Sequence, residues 1–293
     1  MLVRDRSWVR HLVLGLVLAS GWTAEARAAA SCEEAERGFD AQDPPRPSTV
    51  PKLGTAEEQL RYAVGLKSAL RGVDGDARRD GRLEAVRAYR AVREYFPGDV
   101  GAASEAAFRA AELLRGAGDP AAALVEFGWV REHGGESPFR VRAALEVGHL
   151  ERRARRPQQA LVAYESVFSD NAASKRQKDD ASLWIGTVCS DLERFDDARR
   201  AWQRVAEAGE DPLDRVRAFD ELALLAVAKG DLEAAAGILE RCRAALDDAA
   251  SEETKLGERV RSALAGLRAH DMLQRAVGER ERARSKPRKE SGM

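Results

Sequence analysis

Five segments of this chain repeat one apolar pattern at intervals of 37 or 38 residues. Each segment carries a small residue and, four positions later, a large apolar residue, which places both on one helix face. The small residues are Ala85, Ala123, Ala160, Ala198 and Ala235, and the large ones are Tyr89, Phe127, Tyr164, Trp202 and Leu239. A fixed period of this length indicates stacked supersecondary units, because each unit needs its neighbours to bury its apolar face.

A second apolar stripe precedes each of these helices, so each segment is predicted to be a hairpin of two helices. In the fourth segment, 179–212, Leu183, Val188 and Leu192 form the first stripe, and Ala198 and Trp202 belong to the second. The matching pairs in the first helices are Val64–Gly65, Ala110–Ala111, Val147–Gly148, Ile185–Gly186 and Leu222–Ala223. No long stretch alternates with period two, and the sequence therefore predicts an all-α fold.

The repeated pattern resembles that of the tetratricopeptide repeat (TPR) family, W-x2-L-G-x2-Y followed by A-x3-F and then P. The resemblance covers residues 57–249, although most repeats lack the first aromatic residue and the late proline keeps its register only at Pro97. It implies a right-handed TPR-like solenoid of about five helical hairpins with a C-terminal capping helix. Because the period exceeds the usual 34 residues, a helical solenoid with a longer repeat is the competing architecture.

The first thirty residues have the layout of a secretory signal peptide. Three basic residues, Arg4, Arg6 and Arg10, precede an apolar run over 12–19, and small residues follow, with cleavage expected after Ala28 or Ala30. An uncleaved N-terminus that anchors the protein to the inner membrane is the alternative. Cys32 could carry a lipid, but the charged residues between it and the apolar run favour simple cleavage. We therefore expect a periplasmic or secreted protein of the bacterial cell envelope.

The remaining chain divides by composition. Residues 31–54 are rich in proline and predict a disordered linker, and 55–250 contain the repeats, with Thr55 as an N-cap. A charged, glycine-rich loop is predicted over 71–81 in the first repeat. Residues 251–277 predict a single capping helix, and the basic tail 278–293 is predicted to be disordered.

The sequence offers little support for catalysis or metal binding. The four histidines are scattered, there is no C-x2-C spacing, and neither a nucleophile elbow nor a glycine-rich phosphate loop is present. A net charge of −1 argues against a protein that coats nucleic acid. Cys189 and Cys242 fall on apolar stripes of adjacent repeats, so buried thiols are favoured over a bridge. We expect no enzyme activity, no cofactor and no metal.

The TPR resemblance implies that the first helices of the repeats line a concave groove that binds a peptide segment or a partner's helix. The groove candidates are Tyr62, Phe108, Glu112, Arg115, Arg142, His149, Arg152, Asp180, Thr187, Arg217 and Asp220. The predicted function is a protein-protein interaction scaffold in the bacterial cell envelope, with another envelope protein or peptide as partner and no nucleic acid. The alternatives are a helical domain of a cell-wall lytic enzyme, or its degenerate relative, and a repeat protein that contacts the membrane through an uncleaved N-terminus.

Overall fold

The computed structural model describes residues 50–285, which form α-helices and no strands. The predicted signal peptide, Cys32, most of the predicted linker and residues 286–293 lie outside this range. The twelve helices of the described range are α1 (Ala56–Ala69), α2 (Gly75–Tyr95), α3 (Val100–Gly116), α4 (Pro120–His133), α5 (Pro138–Arg153), α6 (Pro157–Ser169), α7 (Lys175–Asp191), α8 (Phe195–Ala208), α9 (Pro212–Ala228), α10 (Leu232–Ser251), α11 (Lys255–Ala265) and α12 (Arg268–Ser285).

Each of the first ten helices packs against the next one along the chain, and together they form five hairpins in sequence. The odd-numbered helices α1 to α9 are called A helices below, and the even-numbered helices α2 to α10 are called B helices. The predicted register is confirmed, because all five small residues of the repeat are fully buried and the five large ones are at most 2% exposed. The all-α, TPR-like solenoid predicted from the sequence is thus the fold of the described residues.

Two glycines set the distance between the helices of a hairpin. A Cβ atom on Gly148 would collide with the ring of Tyr164, and one on Gly186 would collide with the indole of Trp202. The A helix therefore approaches the large residue of its B helix more closely than any residue with a side chain would allow. This contact explains why a small residue in the A helix recurs twelve positions before the small residue of the B helix in repeats two to five.

The turn within each of these four hairpins is built in the same way. Gly118, Arg155, Glu193 and Gly230 have positive φ angles, which is typical of the residue that ends a helix in the left-handed conformation. The following N–H then donates to a carbonyl five residues back, as from Asp119 to Leu114 at 3.0 Å. Glycine suits this conformation, whereas a residue with a Cβ is strained in it.

The first repeat departs from the prediction in two ways. Residues 75–81, predicted as loop, extend α2 toward its N-terminus, because the segment is rich in helix-compatible charged residues and Arg79 pairs with Asp76 at 2.8 Å. The turn is confined to 70–74. The predicted contact at Val64–Gly65 is also wrong: Val64 is 43% exposed and nothing lies near Gly65, while Ala63 is fully buried instead.

Both ends of the stack also differ from the predicted boundaries. Residues 50–54 of the predicted linker are held on the first hairpin, where Tyr95 Oη donates to the Val50 carbonyl at 2.9 Å and Gln59 Nε2 donates to that of Pro51 at 3.1 Å. The predicted single capping helix is two helices, α11 and α12, which pack on α9 and α10. The second continues to Ser285, so the predicted tail begins inside a helix.

Candidate protein-interaction surface

Successive A helices contact one another across the repeats, from α1 through α9, whereas within residues 50–285 successive B helices have at most weak contact. The A helices are therefore closer together than the B helices, which makes their side the inner side of the stack. Side chains of several repeats converge on this side, which is called the A surface below. Most of the predicted groove residues lie on it.

Arg142 of α5 lies at the exposed edge of an aromatic group on the A surface. Its guanidinium carbon is 4.6 Å from the ring centroid of Phe108 and 5.5 Å from that of Phe139. Phe108 itself is only 1% exposed and packs edge-on against Phe127 at 5.1 Å. The prediction that Phe108 faces a ligand is therefore wrong, because this ring is core and supports Arg142 from below.

Between α3 and α5 the charges of the A surface neutralise each other. Arg115 of α3 forms an ion pair with Glu146 of α5, and Glu112 accepts a hydrogen bond from Arg109 at 3.0 Å. Arg109 also pairs with Glu105 at 3.4 Å. Arginine side chains here have carboxylate partners, so the predicted candidates Glu112 and Arg115 are already engaged within the protein.

Between α5, α7 and α9 the arrangement is different, because an indole takes the place of a carboxylate. The guanidinium carbon of Arg152 is 4.2 Å from the ring centroid of Trp184, and that of Arg217 is 4.4 Å from the same centroid. Both helices that carry the arginines contact α7, and they have no comparable contact with each other. We name Arg152, Trp184 and Arg217 the Arg–Trp–Arg cluster.

His149 and Tyr164 hold the cluster from one side. The Tyr164 hydroxyl lies 2.8 Å from His149 Nδ1 and also interacts with Arg152, and the His149 ring meets the Trp184 ring at 5.4 Å. Burial lowers the pKa of His149; Asp180 opposes this shift, and Arg152 and Arg153 add to it. A neutral imidazole with an unprotonated Nδ1 accepts a hydrogen bond from the Tyr164 hydroxyl and leaves the hydroxyl oxygen able to accept from a neighbouring donor.

Two carboxylates lie near the cluster, Asp180 on α7 and Asp214 on α9. Burial raises the pKa of Asp214, and the neighbouring charges of Asp211 and Asp180 raise it further, whereas Arg217 and Arg176 lower it. Asp180, a predicted candidate, is half-buried in α7 one helical turn before Trp184. The A surface here therefore combines arginines at the cluster with acidic side chains nearer the N-terminal ends of α7 and α9.

Three further predicted candidates do not present free side chains on the A surface. Thr187 is 8% exposed and its hydroxyl donates to the Leu183 carbonyl at 3.1 Å within its own helix. Asp220 is 6% exposed, accepts from the backbone N–H of Ala269 at 2.9 Å and pairs with Arg268 at 2.7 Å, so it fixes the start of α12. Tyr62 is half-buried and packs against the core of the first repeats.

Trp184 was not among the predicted residues, although the repeat contains a signal for it. The positions equivalent to Trp184, two residues before the small residue of each A helix, are occupied by Arg109, Glu146 and Glu221 in repeats two, three and five. A tryptophan where the aligned repeats have charged residues marks an aromatic side chain on the A surface. The apolar stripe of α7 includes the neighbouring Leu183 and does not by itself predict a role for Trp184.

Three buried ionisable groups lie away from the cluster: the carboxylate of Glu126 and the thiols of Cys189 and Cys242. Glu126 is 2% exposed, and its carboxylate bridges two B helices by accepting from Arg90 at 2.6 Å and Arg93 at 3.3 Å. Cys189 and Cys242 are free, buried thiols, and burial raises the pKa of both.

Within residues 50–285, no three metal-ligating side chains form a group that could hold an ion. No helix between Val50 and Ser285 combines the length and apolar character of a membrane span.

Comparisons with known structures agree with this fold. The crystal structure of the MamA protein superposes with a TM-score of 0.51 at 18% identity, over 68% of this chain and 97% of that one. The apo form of RapI superposes with a TM-score of 0.54 at 12% identity, over 88% of this chain and 69% of that one. Both are TPR-like helical-repeat structures, and at these identities the likeness concerns the fold. No protein-family model matches the chain, and neither does any curated protein sequence.

Proposed function

We propose that this protein is a non-catalytic scaffold that binds a polypeptide segment of another cell-envelope protein on its A surface. The observation that carries the proposal is that some arginines of the A surface form ion pairs within the protein while others do not. Within residues 50–285, Arg142, Arg152 and Arg217 have no carboxylate partner within ion-pair distance, and each is stacked on an aromatic ring instead. Arginine and aromatic side chains are enriched where proteins bind each other.

Site-specific photocrosslinking in the native host tests the location of the binding surface. A photoreactive phenylalanine analogue replaces Arg142, which is exposed on the A surface. Val125 and Val162 provide matched controls, because they occupy equivalent positions on the B helices α4 and α6 and are 68% and 63% exposed. We expect one polypeptide adduct to recur from position 142 and to be missing from the controls. Equal adducts from the B helices, or none from position 142, would contradict the proposal.

We further propose that the protein is exported and acts in the periplasm after its signal peptide, 1–30, is removed. The support is the basic, apolar and small-residue order of that segment. Mass measurement of the N-terminal peptide from fractionated cells tests this step. A chain that begins near Ala29 or Ser31 in the periplasmic fraction agrees with export. A chain that begins at Met1 in the membrane fraction would instead favour an anchored repeat protein.

A further inference from the structure

We infer that the Arg–Trp–Arg cluster is a binding site for an extended acidic segment with two carboxylate side chains two residues apart. The inference rests on the proposed function and names the chemistry of the partner at this site. Its three residues come from three successive A helices, α5, α7 and α9, so a ligand at the cluster crosses the repeats.

The repeat itself supplies the comparison that reveals the site. Arg115 and Arg152 occupy equivalent positions, four residues after the small residue of α3 and of α5. Arg115 is neutralised by Glu146 of the following A helix. The position equivalent to Glu146 in the next repeat is Trp184, which stacks on Arg152 at 4.2 Å and offers no negative charge. The carboxylate that completes this junction in one repeat is thus missing from the same place in the next.

The geometry leaves the hydrogen-bond donors of both arginines available. A guanidinium group stacks through its flat face, while its N–H groups point outward in its plane and suit bidentate carboxylate binding. Arg152 Nε is buried and has no hydrogen-bond partner within residues 50–285, so a ligand carboxylate binds at the terminal nitrogens of this guanidinium. Tyr164 and the indole hold Arg152 in place. A side chain that is already fixed loses less conformational entropy when a ligand arrives.

The placement of the two arginines around one indole indicates the ligand pattern. The helices α5 and α9 flank α7, and the guanidinium carbons of Arg152 and Arg217 lie 4.2 and 4.4 Å from the Trp184 ring centroid. We infer that they occupy opposite faces of the ring, because two like charges repel each other and each face attracts a cation. Alternate residues of an extended chain lie about 7 Å apart and point to the same side. Two acidic residues at i and i+2 can therefore reach one guanidinium each.

The nearby acidic groups set the register of such a ligand. Asp180 and Asp214 lie beside the cluster, toward the N-terminal ends of α7 and α9, and repel further negative charge there. The two carboxylates of the segment consequently lie over Arg152 and Arg217. Removal of Asp180 and Asp214 is expected to strengthen the binding of an acidic segment, whereas neutralisation of the arginines weakens it.

Fluorescence anisotropy with labelled peptides tests the inference on the purified protein. The labelled peptides share one flexible sequence and differ in their central core, which is Glu-Ser-Glu, Gln-Ser-Gln or a core that contains phosphoserine. Single-stranded DNA and anionic phospholipid vesicles are tested as alternative ligands. We expect the Glu-Ser-Glu peptide to bind about tenfold more tightly than the Gln-Ser-Gln peptide. Equal binding of the two peptides, or tighter binding of phosphopeptide, DNA or vesicles, would overturn the inference.

The variants separate the cluster from general charge. Trp184→Glu places in the fourth repeat the carboxylate that Glu146 provides in the third, so we expect it to remain folded and to lose the tenfold preference. Arg152→Met with Arg217→Met is expected to lose it as well. The control pair Arg87→Met and Arg243→Met removes the same charge from exposed positions on B helices and should retain the preference. Equal loss in this control would contradict the site.

Two outcomes distinguish this inference from the proposed function. If photocrosslinks form at position 142 but peptides with and without glutamates bind equally, the acidic ligand is wrong and the A surface remains the binding side. Should the double arginine variant melt at a lower temperature, a charge exchange replaces it. Arg217→Glu leaves Arg152 positive, so this variant is expected to prefer a core with one glutamate and one lysine over Glu-Ser-Glu. If this variant shows no change in preference, the inference fails.

Discussion

Two junctions of the A surface lie at equivalent places in the repeat and differ in the partner of their arginine. Between α3 and α5, Arg115 meets Glu146, and between α5 and α7 the equivalent Arg152 meets Trp184. The first junction is closed by an ion pair within the protein, whereas the second holds an arginine that has no internal carboxylate. The comparison teaches that one side chain at a repeated position decides whether the arginine of a junction has a carboxylate partner within the described residues.

The comparison requires that the hairpins share one packing geometry, and Gly186→Trp should break it. The new ring would overlap Trp202, as any Cβ at this position does, and overpacking of this size is expected to cost about 3 kcal/mol or more. Neighbouring repeats should unfold together in thermal melts followed by circular dichroism, because each repeat is stabilised by its neighbours.

Gly128→Ala is the matched control for this variant. Nothing lies within 4 Å of a Cβ at Gly128 in the helix α4, so the change should stabilise the protein by about 0.5–1 kcal/mol. An unchanged melting temperature in Gly186→Trp would show that the two helices of the hairpin do not pack in the register described.

Glu146→Gln should open the closed junction and make it resemble the second one. Arg115 then loses its carboxylate, and we expect an acidic peptide that spans both junctions to bind about threefold to tenfold more tightly. Because the two side chains are 35% and 23% exposed, the loss of stability should stay below about 1 kcal/mol.

Titration of the spanning peptide by anisotropy measures the effect. The control is Glu105→Gln, since Arg109 keeps its second partner, Glu112, and no arginine is released. A gain in affinity as large in this control would indicate that net charge, and not the junction, decides binding.

Glu193→Gly should stabilise the hairpin that carries Trp184. Glu193 has a φ of 59°, a conformation that costs a residue with a Cβ about 1 kcal/mol, and part of the gain is offset by the freedom of glycine in the unfolded chain. We expect a net stabilisation of about 0.5 kcal/mol in chemical denaturation. Gly118→Ala, at the equivalent turn, should destabilise; the same sign in both variants would contradict the account of the turn.

The smallest expected effect is a pH dependence at the second junction. The pKa of His149 is lowered in the folded protein, chiefly by burial, so the unfolded chain binds more protons below its usual pKa of about 6.5. Stability should therefore fall as the pH decreases through that region. His149→Gln should show a weaker fall between about pH 7 and pH 5.5, measured by melting temperature. An identical pH profile in both proteins would exclude this role of His149.

The sequence predicts the fold well where the period is regular. The small residue, the large residue four positions later and the glycines of repeats three and four reflect packing that only one helix register satisfies. The loop predicted over 71–81 in the first repeat was wrong, because extra residues can lengthen either a loop or a helix and apolar spacing does not distinguish the two. The prediction of a single capping helix was wrong, because the break at Gly266 lies inside an otherwise helical pattern.

The candidate site was predicted in part, and the errors have a common cause. Arg142, His149, Arg152 and Arg217 lie on the A surface, but Phe108 and Asp220 are buried. Position within one helix does not show what the adjacent repeat covers, and Asp220 is covered by α12, whose start it holds. Trp184 was missed for the same reason, because its role depends on arginines from two other repeats.

The most direct measurement is a nuclear magnetic resonance titration of the indole N–H signals with the Glu-Ser-Glu peptide. Trp184 lies in the cluster, Trp129 lies on a B helix beside Arg93 at 4.6 Å, and the buried Trp202 donates to the Leu183 carbonyl at 3.3 Å. The account predicts that the Trp184 signal shifts on binding while those of Trp129 and Trp202 stay in place. A bound peptide that leaves the Trp184 signal unchanged, or shifts Trp129 as much, would contradict it.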